Sequence, residues 1–174
     1  MGTIDVVDLV TRESPREILE ADFPSLAPLP VRGGWGYCAE TACIIDRDDP
    51  RLPRGIPFDG VSIEYVFAEY RLYEELIVFR PREQRYAGIR FEPNRQALRT
   101  IDGRTFDVLT WTVTAFRECD FDRLKAEFEG PHGVASPDFD IEAHRRLRNS
   151  LMLTAVRHTW FDITSFFGRQ KRTH

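Results

Sequence analysis

Apolar residues recur at three- and four-residue steps at Ile63, Val66, Phe67, Tyr70, Tyr73, Leu76 and Ile77. That stripe has the period of a helix and predicts one over 61–77. Ser62, Glu64, Glu69, Arg71, Glu74 and Glu75 fall between those positions and read as its solvated face. A β-hairpin competes, because Val61 to Phe67 also alternates and is rich in β-formers. Past this segment the pattern changes. Val78-Phe79, Tyr86 to Phe91, Gln96 to Ile101 and Thr105 to Phe116 read as strands, with Asp102-Gly103 as a hairpin turn. In the last of these, Leu109, Trp111, Val113 and Ala115 face one way and Val108, Thr110, Thr112 and Thr114 the other. This is the alternation of a meander with one solvated face.

Flanking signals complete the outline. Ser14-Pro15-Arg16-Glu17 has the form of a capping box with Pro at the first helical position, followed by Ile18, Leu19 and Phe23 as a buried side. Phe23 to Pro30 reads as an extended, proline-limited strap. The stretch Gly33-Gly34-Trp35-Gly36-Tyr37 follows as a tight turn, and Ala39 to Ile45 as a short helix or strand. Residues 50–60 read as a loop. Asp120 is expected to cap a helix running to Glu129, with Gly130 as its stop. Ser136-Pro137, with Asp138 and Asp140, is expected to open a long final helix reaching about Thr159. The expected fold is α+β: an antiparallel meander of about four to five strands on two or three helices, with a long C-terminal helix. One domain over 1–174 is expected, with 1–13 and 169–174 as tails.

Composition narrows the class. The chain of 174 residues is 42% hydrophobic and 30% charged, ordinary values for a globular core. A net charge of −4 makes it a poor default ligand for nucleic acid. Arginines number 22 against Lys125 and Lys171, a bias that suits GC-rich bacterial coding. Cys38, Cys43 and Cys119 make an odd count, unlike a secreted disulfide framework. The acidic N-terminus does not read as a signal peptide and no apolar run is long enough for a bilayer, so a cytoplasmic protein is expected.

Candidate chemistry is sparse. Cys38, at a glycine-rich turn entering a helix, would have an accessible thiolate favoured by the helix N-terminus. His132, on the loop Gly130-Pro131-His132-Gly133, is the candidate base, with Glu40 or Asp138 as orienter. The order Gly36-x-Cys38-x-Glu40-x-Ala42 resembles the nucleophile segment of transglutaminase-like thiol enzymes. Their histidine some tens of residues downstream is missing, and the chain is not assigned to them. Arg32, Trp35 and Tyr37 form a second candidate, an aromatic pocket with a cation at its mouth. A third is the run of arginines including Arg82, Arg90 and Arg99, which on strands would line one face. His144 and His158 are expected about four turns apart on one helix, and no Cys/His spacing suits zinc. Neither a metal nor a cofactor is expected. The leading reading is a binding protein of accessory, inhibitor or immunity type with a protein partner. The alternatives are a thiol-dependent hydrolase or transferase and, more weakly, RNA binding through the arginine face.

Overall fold

The computed structural model describes residues 2–52 and 55–168. Among them, four α-helices and six strands make a mixed α/β fold. In chain order these are β1 (Gly2–Thr3), α1 (Pro15–Asp22), β2 (Val31–Gly33), β3 (Cys43–Ile45) and α2 (Gly60–Tyr73). A π-helical turn, Glu74–Val78, continues α2, and a 3-10 turn follows at Arg82–Gln84. Then come β4 (Tyr86–Ile101), β5 (Arg104–Arg117), α3 (Glu118–Glu129), α4 (Ile141–Leu151) and β6 (Leu153–Asp162). The sheet order is β2-β3-β6-β5-β4, with β1 also on β6. β1 and β3 run parallel to opposite ends of β6, Thr3 against Thr154 and Cys43 against Phe161. β2 is antiparallel to β3, with Val31 against Ile45.

The chain divides into two compact units. The first holds the chain up to Val7, Tyr73–Glu92 and Trp111–Arg157. Its core includes Ile4, Leu76, Tyr86, Val113 and Trp111, whose ring meets Phe91 edge-on at 5.6 Å. The second holds Asp8–Leu72, Pro93–Thr110 and the chain from His158 onward. There Phe67 of α2 packs between Trp35 and Phe161, at centroid distances of 6.2 and 5.8 Å.

Local signals explain several elements. The Ser14 hydroxyl accepts from the Glu17 N–H and the Glu17 carboxylate accepts from the Ser14 N–H, so α1 has its capping box. Asp102 and Gly103 both adopt positive φ, 50° and 75°, as a tight turn twisted to match its strands requires. The helix competing with a hairpin over 61–77 is present as α2 and its π turn.

Other expectations fail for physical reasons. The long final helix stops at Leu151, and β6 takes its place. Thr154, Val156 and Thr159 favour a strand, and Ala155, Thr159 and Phe161 alternate inward. Asp140, with its carboxylate 2.9 Å from the Ala143 N–H, caps α4, while Ser136 to Asp138 lie in the preceding turns. His144 and His158 therefore sit on different elements. Asp120 is not a cap, because α3 begins at Glu118 straight out of β5. Val78-Phe79 is no strand but the end of the π turn and an exposed bend. Tyr86 to Phe91 and Gln96 to Ile101 are one strand, continuous through Pro93. An edge position tolerates that proline, since its missing N–H breaks no ladder. The sheet is not an antiparallel meander, because β6 gathers two parallel partners from the N-terminal part of the chain. Within the segment expected as an N-terminal tail, Gly2–Thr3 pairs with β6, and Ile4 and Leu9 are buried. The tail expected at 169–174 lies outside the described residues.

Candidate functional site

The most unusual chemistry lies on the inner face of α2. Sequence periodicity assigned Glu64, Glu74 and Glu75 to solvent, and that assignment is corrected: all three are buried, as is Arg71. Residues 64, 68, 71 and 75 fall on one helical face by their spacing. The stripe was misplaced because apolar residues surround this helix. Val61 and Tyr65 are exposed while Phe67, Ala68 and Leu72 are buried. A segment apolar on all sides belongs inside a protein, and its charges go in with it. That overall apolarity was the available signal.

In the second unit, Arg71 is the central polar group. Its guanidinium donates to the Trp35 carbonyl at 2.9 Å, the Gly36 carbonyl at 3.3 Å and the His158 carbonyl at 2.8 Å. It also lies 4.8 Å from the Tyr37 ring centroid, a cation–π distance. The glycine-rich turn is thus held from beneath by one side chain. Gly36 takes φ 79°, and a Cβ there would come within 2.9 Å of the Trp160 carbonyl oxygen, so this position requires glycine.

Glu64 and Asp107 form an acidic pair in the same unit, 2% and 4% exposed. Glu64 Oε2 and Asp107 Oδ1 have no hydrogen-bond partner, while Asp107 Oδ2 accepts from the Gln96 amide. Burial, with the Asp107 and Asp59 charges added, pushes the Glu64 carboxyl up to about 8. Burial also raises Asp107, against the hydrogen bonds from Gln96 and the Val108 N–H. Such a pair retains a proton near neutrality and can hand it on as an acid. The fully buried Cys43 thiol is pushed well up by burial, with the Arg71 charge opposing and Glu64 adding to it. It is a neutral hydrophobe.

In the first unit, the π turn directs both Glu74 and Glu75 inward, a use such turns often serve. Glu75 meets Arg157 at 3.1 Å. Arg80 donates to the Glu75 carbonyl at 2.7 Å and to the Asp5 carbonyl, and lies over Tyr86.

The residues singled out from sequence divide between the two units. No helix follows Cys38; the chain bends and enters β3, which removes the proposed helix-terminus stabilisation. The Cys38 sulfur lies 3.2 Å from the Thr41 hydroxyl. Its hydrogen bond to Glu40 is the main cause of that carboxyl's lowered pKa. Cys38 and Glu40 are thus together, whereas His132 is exposed in the other unit, on the turn after α3, as is Asp138. Arg32 is exposed and 3.7 Å from Asp46. Trp35 is buried with its indole N–H on the Thr11 hydroxyl at 3.0 Å, and the Tyr37 hydroxyl accepts from the Leu9 N–H at 2.9 Å. These two aromatics anchor the N-terminal chain and border a cleft of about 480 Å³ shared with Leu9 to Pro15. Arg82, Arg90 and Arg99 are all exposed. Among the described residues no group of three or more His, Cys, Asp or Glu side chains is placed to hold a metal ion, and no helix is long and apolar enough to cross a membrane. No family model matches the chain, and no curated protein or solved structure matches it either.

Proposed function

We propose that this is a binding protein of the accessory, inhibitor or immunity type, which engages an acidic protein surface through strand β4. One observation carries the reading. β4 is an edge strand whose residues 92–101 are exposed except Ala97, and Arg95 and Arg99 have no carboxylate partner among the described residues. An open strand edge offers unpaired backbone groups to a partner. Arginine is the cation that interfaces favour, because its planar fork grips carboxylates in pairs. Alternation places Arg95, Ala97 and Arg99 on one side of β4, opposite Gln96. Arg99 also lies 5.9 Å from the Trp160 ring centroid, so its charge is presented from an aromatic platform. An acidic protein partner fits better than RNA, given the net charge of −4.

The test uses fluorescence anisotropy with labelled poly-glutamate as a model acidic surface and single-stranded RNA as competitor. Wild type is compared with the Arg95→Glu/Arg99→Glu double variant and with Arg90→Glu. Binding should weaken by at least about tenfold in the double variant. Equal binding by all three proteins would refute the assignment, and preferential, salt-sensitive binding of RNA would replace it with the nucleic-acid reading.

A further inference from the structure

In the first unit, α3 and α4 enclose a groove of about 580 Å³ with an apolar floor. Phe116 from β5 and Phe121, Leu124 and Phe128 from α3 line it, and Ile141 closes one side. Phe128 and Ile141 remain 37% and 36% exposed. His144 of α4 also lines it, its ring tilted against Phe128 at 5.4 Å and Phe139 at 5.5 Å, with its Nδ1 3.1 Å from the Glu127 carboxylate. The rim has the opposite character. Lys125, Arg145 and Arg148 stand around the floor against one lining carboxylate, Glu129. Arg145 is engaged by Glu142 at 2.8 Å. Lys125 and Arg148 have no carboxylate partner among the described residues, and the Arg148 guanidinium lies 5.7 Å from the Phe116 centroid, at the floor itself.

We propose that this groove binds a single-chain amphiphile with an anionic head, a medium-chain fatty carboxylate, with the chain over Phe116, Phe121 and Phe128 and the head on Arg148 and Lys125. The volume lies in the range of small-molecule sites. Two cations without a carboxylate partner among the described residues, Lys125 and Arg148, beside an aromatic floor complement a molecule that is apolar along its length and negative at one end. A neutral chain would leave Arg148 without a counter-charge, and a cationic one would be repelled.

The test is calorimetric titration of the whole protein with decanoate, against decanol and decyltrimethylammonium. Decanoate should bind saturably at one site per chain, decanol at least about tenfold more weakly and the cation not at all. Arg148→Glu should abolish the decanoate heat, and Arg148→Gln should weaken binding by about tenfold, with unchanged far-UV circular dichroism. If Arg148→Glu does not fold, Lys125→Glu on α3 is read in its place. The proposal is overturned if decanoate gives no saturable heat up to about 1 mM, or if decanol binds as well and the Arg148 variants bind like wild type. It is also overturned if Arg95→Glu/Arg99→Glu removes the decanoate heat, which would place the ligand on β4, or if a Leu/Glu-patterned helical peptide binds through Arg148 while decanoate does not.

Discussion

Arg71 supports the turn around Gly36 with three hydrogen bonds to carbonyl oxygens, each made inside the protein. Replacing it with Met leaves those carbonyls without their charged donor. The expected loss is about 3–5 kcal/mol of unfolding free energy in urea titration. Arg71→Lys should recover only part of it, since an ammonium cannot reproduce the planar fork. Glu64 has a different signature. Its carboxyl titrates at about 8 in the fold against an ordinary 4.5. The stability tied to its proton is therefore complete below pH 4.5 and is lost as the pH rises towards 8. Glu64→Gln, a neutral mimic, should be nearly neutral at pH 4.5 and stabilising by on the order of a few kcal/mol at pH 8.5. A stability difference between variant and wild type that stays flat with pH would show that Glu64 ionises normally. Iodoacetamide on the native protein addresses the cysteines. Cys43 is fully buried and should label only on unfolding, while exposed Cys119 should label readily. The thiol-enzyme reading requires Cys38 to outpace Cys119 by a wide margin.

At the level of elements, legibility followed the range of the forces involved. The capping box of α1 and the Asp102-Gly103 turn depend on contacts within four residues, and both were readable. Ser14→Ala should cost about 1 kcal/mol in thermal or urea unfolding, the usual worth of such a cap. Helix α2 competed in the sequence with a hairpin, and its inward direction was not legible, because apolar residues surround it and rank no face above another. Strand β6 was misread as the continuation of a helix. Its backbone is fixed by partners far away in the chain, Gly2–Thr3 and Cys43–Ile45. Local propensity is weak where remote pairing decides the conformation. Joining the two expected strands at Pro93 into one β4 depends on the same point, since a proline breaks a strand only where its N–H would have been needed.

Across the whole molecule, the charges fall into two sets with different consequences. The arginines of β4 lie in water, so the proposed attraction to an acidic partner should weaken steeply as salt is raised from about 50 to 200 mM. The Glu64 carboxyl carried in by α2 is shielded from salt, and its effect should appear in the pH dependence of stability. The sequence by itself determined the presence of both helices and strands, the Asp102-Gly103 turn between β4 and β5 and the capped start of α1, because each rests on a periodicity or a turn a few residues long, while at α2 it left a helix and a hairpin in competition. Only the tertiary structure decided that Glu64, Arg71, Glu74 and Glu75 are interior and that Cys38 bends into a strand. Only the tertiary structure, too, drew Lys125, Arg145 and Arg148 around one aromatic floor. Those outcomes depend on which surfaces meet after the chain has folded back on itself, and a charged residue carries no mark in the sequence of the environment it will enter.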